Sequence, residues 1–154
     1  MPIDFPPRAL APPGSALDPA ADVLFYRILK EHPELPDFSV EFGSEPSRRT
    51  PPWVRVAVVR YLEPHSRGES TPIASLDVYA EDGLAAGDIA RSISTAWPYL
   101  KKVTVPGEGY VSGAWVEVEA YRLDEPADAE NASPLARFHL EVGLRIHPEP
   151  QGAP

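Results

Sequence analysis

His139 and Glu141 stand two positions apart in a segment, residues 135–147, where Phe138, Leu140, Val142, Leu144 and Ile146 alternate with Arg137, His139, Glu141, Gly143, Arg145 and His147. Strand residues two apart project from the same face, so this imidazole and this carboxylate can reach one ligand. Glu117 and Glu119 have the same spacing and are expected to share a face with Trp115 and Tyr121, while Asp77 lies between Ser75 and Tyr79. Acids opposed across a sheet can hold a cation or divide the roles of acid and base. The same pattern also describes a polar face with Glu opposite Arg, each pair contributing about 0.2–1 kcal/mol. Arg55, Arg60, Arg137 and Arg145 are available for such a ladder, which is the preferred expectation.

The other chemical signals are weaker. His32 is expected at a helix C-terminus, where a cation complements the dipole; His65 falls in a polar loop and His147 precedes Pro148. No pair has the His-x-x-x-His spacing of a metal site. The stretch Asp82–Gly87 lacks the glycine spacing and the lysine of a phosphate loop; Gly83 is expected to help turn the chain into the following helix, and Ala85, Ala86 and Gly87 to allow close packing on the sheet. Trp53, Trp97 and Trp115 are scattered, as suits core or interface anchors. The chain has no cysteine, which excludes disulfides, thiol catalysis and thiolate metal sites. No nucleophile motif accompanies the histidines and acids, so catalysis is not the expected role.

These residues need elements to place them. Asp18 and Pro19 suit an N-cap and first helical position, and Val23, Leu24, Tyr26 and Ile28 form a stripe ending before Pro33. Strands are expected at residues 38–42, 53–61 and 73–79, the last two an antiparallel pair joined by the polar loop 62–72. A helix over 81–96 follows, with Leu84, Ile89, Ile93, Ala96 and Trp97 along one side, and Pro98 stops it near Trp97. Strands at 103–105, 111–123 and 135–147 complete the order α-β-β-β-α-β-β-β. The expected fold is α+β, a two-layer sandwich with a mainly antiparallel sheet of about four to six strands and two helices packed on one face. Residues 1–16 read as a proline-rich arm, 17–147 as a single domain and 148–154 as a tail.

Twenty-three acidic against fourteen basic residues give a net charge of −9, which repels phosphate backbones. Arg48–Arg49 and Lys101–Lys102 are too isolated to form a nucleic-acid patch. No apolar run suits a signal peptide or a membrane span, so no membrane association is expected.

The segment WVRVAVVRYLEP…STPIASLDVYAEDGLAAGDIARSISTAW, with the later GAWVEVEAYRLDEPADAENASPLARFHLEVGLRI, resembles tail terminator proteins of long-tailed bacteriophages. The likeness covers residues 20–147. Its carriers are the strand end Leu76–Ala80 running into an alanine-rich helix, and a long alternating strand after an acidic loop. The resemblance implies a virion protein without cofactor or catalytic activity. Such a subunit forms a homo-oligomeric ring, typically a hexamer, at the head-proximal end of the tail. It stops tail tube polymerisation and docks to the head connector or a head-completion protein, while DNA passes without specific binding. Contacts are then expected at His65, Arg67 and Glu69 and at Arg137, His139, Glu141 and Arg145. The acids Asp124, Glu125, Asp128 and Glu130 would face the channel or form an ordinary solvated loop. Two competitors stand beside this: another head–tail connector or tail-completion protein, and a ligand-binding or enzymatic α+β domain with Trp115, Glu117, Glu119 and His139 lining a cleft.

Overall fold

The computed structural model describes residues 21–42, 50–62, 69–123 and 135–147. The two outer divisions of the chain, the arm and the tail, and the Asp18 cap lie outside these residues, as do His65, Arg67, Asp124, Glu125, Asp128 and Glu130. The elements follow in the order α1 (Ala21–Glu31), β1 (Ser39–Phe42), β2 (Trp53–Tyr61), β3 (Pro72–Ala80), α2 (Gly83–Ala96), β4 (Val103–Val105), β5 (Gly109–Leu123) and β6 (Ala136–His147). The fold is α+β, as expected from the alternation of periods along the chain.

All six strands form one sheet in the order β1-β2-β3-β6-β5-β4. Its two centre strands, β3 and β6, come from different halves of the chain and pair antiparallel with Leu76 opposite Leu140 and Asp77 opposite His139. Every neighbouring pair is antiparallel except β1–β2, which is parallel. β-branched valine fills β2, and β6 alternates apolar and polar side chains, the pattern of a strand with two unlike faces. Both helices cover the apolar face, where Leu24, Phe25 and Ile28 of α1 and Ile89, Ala90 and Ile93 of α2 join Val54, Leu76, Leu140 and Leu144 in one core. Full burial of each large aliphatic side chain contributes about 1.5–3 kcal/mol.

The helix stripes differ in detail from the expected ones. Phe25 and Leu29, rather than Val23, share the buried side of α1 with Leu24 and Ile28, whereas Leu84 on α2 is 72 % exposed. Leu84 lies in the first turn, before the helix settles on the sheet. Asp82 caps α2, its carboxylate accepting from the Ala85 amide at 2.8 Å. At the other end Pro98 cannot continue the α-helical ladder, and the chain tightens into a 3-10 turn, Trp97–Leu100. That turn inserts Trp97 into the core, stacked on Phe25 at 5.7 Å with its indole N–H donating to the Gly143 carbonyl at 3.0 Å. The buried polar end of the ring is thus satisfied.

Gly87 has the packing role the sequence suggests, and Gly83 stands at the start of α2, where the chain turns into the helix. A Cβ at Gly87 would approach Phe138 Cζ to 3.2 Å, and one at Gly83 would meet the Arg122 guanidinium at 2.6 Å. His32 departs from expectation: it is only 5 % exposed, and its Nδ1 accepts from the Glu34 amide at 3.1 Å. Burial pushes its pKa below the ordinary 6.5, with Glu34 opposing in part. His32 is a neutral buried ring, not a solvated cation completing the helix dipole. No helix among the described residues is long and apolar enough to cross a membrane.

Candidate functional site

The face of the sheet away from the helices gathers the chemically capable side chains. Antiparallel register sets Asp77 between Arg55 on β2 and His139 on β6, and Tyr79 between Trp53 and Arg137. Asp77 is the hub. Its Oδ1 lies 2.9 Å from His139 Nδ1 and accepts from Arg137 Nε and Nη2 at 3.2 and 3.1 Å. On the other side of the imidazole, His139 Nε2 is 3.6 Å from Glu141 Oε2. Arg60 Nη2 continues the row, 3.8 Å from Glu141 Oε1 and 3.3 Å from Glu117 Oε1, and Glu117 Oε2 accepts from the Trp115 indole at 2.7 Å.

Aromatic rings wall the row. Trp53 stacks on Tyr79 at 5.1 Å, and the guanidinium carbons of Arg55 and Arg137 lie 5.3 and 5.6 Å from the Tyr79 centroid. Arg55 also donates to the Tyr79 hydroxyl at 3.3 Å. Tyr121 meets His139 edge-on at 5.5 Å. Trp115 lies across Gly143 so closely that a Cβ there would be 2.3 Å from the indole. This explains why a glycine interrupts the charged positions of β6: the space is filled from the neighbouring strand.

Arg60 and Glu117 meet although β3 and β6 lie between their strands. Three inter-strand steps span about 14 Å on a flat sheet. The sheet is curled, and the side chains close over the hollow. The face is therefore less wet than simple alternation implies, with the Asp77 and His139 side chains 13 % and 15 % exposed. The expected Glu–Arg ladder is present in Arg60–Glu117 and Arg60–Glu141, with Arg137–Asp77 beside it. Arg60 is half exposed, so solvent screens its pairs; the shielded Asp77–Arg137–His139 group contributes more to local order.

One expectation about the acids is corrected. β5 is irregular against β6 between Val111 and Gly113, between Val116 and Val118 and between Val118 and Tyr121. Each irregularity breaks strict alternation. Glu117 consequently joins Arg60 on the polar face, whereas Glu119 accepts from Ser94 of α2 at 3.2 Å on the helix side. Trp115, Glu117 and His139 share the polar face; Glu119 does not belong to a cleft with them.

Of the contact residues expected from the sequence, Arg137, His139 and Glu141 are united by the Asp77 network. Arg145 and Glu69 are also brought together, Arg145 Nε lying 2.8 Å from Glu69 Oε1. Arg55, expected as a ladder partner, meets the network beside Tyr79, whose central place between Trp53 and Arg137 comes from the register and is not legible in β3 alone. On the opposite side of the molecule Glu34, Asp88, Arg91, Thr95 and Tyr99 line an open depression of about 480 Å³.

The polar row can orient an imidazole, but both ring nitrogens face carboxylates and each carboxylate faces a cation, an indole or the imidazole. Among the described residues no group of three or more His, Asp or Glu side chains is arranged to hold a metal ion. No protein-family model and no curated protein sequence matches this chain.

Proposed function

We propose that this chain is an assembly subunit, and specifically a tail terminator that forms a ring on the tail tube of a long-tailed bacteriophage. In this reading it stops tube polymerisation and docks to the head connector, acting by shape alone and without cofactor or turnover. The observation that carries it is the form of the sheet ends among the described residues: β1 and β4 are short, and each leaves much of its longer neighbour without a described strand on the outer side. Uncovered backbone of that kind favours association between chains. The mutual pairing of the polar face adds support, since those charges serve one another instead of presenting an open reaction centre. The phage role itself rests on the sequence resemblance, which also allows another head–tail connector or tail-completion protein.

Deletion of the gene followed by electron microscopy tests the role. Tails of uncontrolled length and unattached heads are the expected result; normal tails would remove the terminator reading. A second reading, a ligand-binding or enzymatic domain, is favoured by one contact, the Asp77–His139 pair that fixes the imidazole. It predicts saturable binding of a small polar ligand that Asp77→Asn abolishes while the fold is kept.

A further inference from the structure

The two ends of the sheet are cut as complementary steps. On one side β1 covers residues 53–56 of β2 and, among the described residues, leaves 57–61 without an outer neighbour. On the other, β4 covers residues 109–111 of β5, and no other described strand covers 112–123 on that side. The successive antiparallel pairings make β2 and β5 run in opposite directions, and β1 and β4 each lie beside the start of their partner. The two short strands therefore occupy diagonally opposite corners. A second copy placed beside the first would set its projecting β1 below the first copy's β4, with that β4 entering the notch above β1.

We propose that copies of this chain join head to tail through these steps, a contact that rests on the self-assembly reading and names its surfaces. The β1 strand of one copy adds antiparallel to β5 of the next, with Phe42 opposite Ala114, Glu41 opposite Trp115, Val40 opposite Val116 and Ser39 opposite Glu117. The faces agree in this register. Val40 is buried in the core and Phe42 stacks on Tyr26 of α1 at 5.2 Å, so both point to the helix side. Ala114 and Val116 also pack against the core. Residues 113–116 are uncharged and hold regular register with β6, from Gly113 opposite Arg145 to Val116 opposite Val142.

The second half of the joint provides a check on the first. Phe42 is level with Val56, so Val58 stands two levels further along β2. Two levels beyond Ala114 on β5 is Val111, because the irregularity before Gly113 absorbs one residue, and Val111 pairs with Val103 of β4. Val58 and Val103 thus fall side by side with both side chains on the helix face, without any adjustment of the register chosen for β1. The joint also brings a neighbour to Phe42, Val59 and Tyr61, which are 49 %, 52 % and 55 % exposed. Large apolar side chains gathered along one sheet end are what a self-association surface requires.

The absence of cysteine makes the register directly measurable, since any disulfide must join introduced residues. A chain carrying both Phe42→Cys and Ala114→Cys should give a ladder of covalent multimers on mild oxidation, collapsed by reductant. Either substitution alone should give no covalent product, and a dimer from Phe42→Cys alone would indicate a two-fold contact and overturn the proposal. Pairing Phe42→Cys with Tyr121→Cys is the out-of-register control and should give no ladder. Ser39→Cys with Glu117→Cys tests the same register if the first pair impairs folding. Light scattering on the unmodified protein separates the two levels of inference. Assemblies without a ladder from either pair overturn this contact and leave the ring reading standing; a monomer at every concentration, without a ladder, overturns both. A ladder in a protein whose deletion leaves tails normal keeps the contact and removes the terminator role.

Discussion

Replacement of Arg27 by methionine should destabilise the fold by about 3–5 kcal/mol, the usual cost of breaking a buried ion pair from one side. Arg27 is 5 % exposed on α1, where its Nε donates to Glu31 Oε2 at 2.7 Å. Its Nη1 donates to the Pro106 carbonyl in the β4–β5 turn and lies 4.0 Å from Glu108 Oε1. Glu31 is one-third exposed and contributes little, about 0.5 kcal/mol or less. The cost arises in the turn: the Pro106 carbonyl loses its charged donor, and the 9 %-exposed Glu108 side chain loses a facing cation. Methionine retains most of the aliphatic volume, so cavity formation adds little. Against a total stability of about 5–15 kcal/mol, the loss should appear as a large fall in the urea midpoint at constant slope. Adding Glu108→Gln to the variant should recover about 1 kcal/mol or more by removing the charge that Arg27 faced. A loss below about 1 kcal/mol, or no recovery in the double variant, would refute the assignment of Arg27 as the buried clamp between α1 and the turn.

Three further outcomes follow from named contacts. Burial lowers the His32 pKa, so the unfolded chain takes up a proton below pH 6.5 that the folded chain resists. Stability should fall as pH drops below 6.5, until the folded pKa is reached, by at most about 1.4 kcal/mol per pH unit. Urea titrations at pH 7.5 and 5.5 should show this component flattened in His32→Gln. Gly143→Ala places a methyl group against the Trp115 indole and should cost about 1–3 kcal/mol with a change in tryptophan fluorescence; an unchanged melt and spectrum would contradict the packing. Asp82→Ala removes the cap on the Ala85 amide and should cost about 1 kcal/mol by thermal or urea unfolding, with Asp82→Asn retaining most of the stability.

Periodicity made the elements legible because burial on one face leaves a repeat in the chain: β6 alternates through its length, and β2 is bounded by Pro52 and the polar residues after Tyr61. Non-local pairing leaves no such trace. Nothing in either segment specifies that β3 lies beside β6, and it is that adjacency which creates the Asp77–His139 pair. The side assignment of Glu117 and Glu119 failed because strict alternation assumes a regular ladder, and the irregularities of β5 appear only against its partner. Arg27 was equally hidden: on a helical wheel it reads as a solvated cation, and its burial depends on a turn 79 residues away.

The curl that closes Arg60 over the hollow also bears on how many copies can join. Where one sheet continues into the next, the rotation between subunits is inherited from strand twist, and a constant rotation either returns to its starting point or advances as an open filament. The irregularities of β5 lie along the strand that would accept the neighbour, and bulges increase local twist. Deleting one residue at the Val116–Val118 irregularity would straighten that strand and alter the turn angle. The copy number, and closure itself, would then respond to the loss of a single residue in one strand.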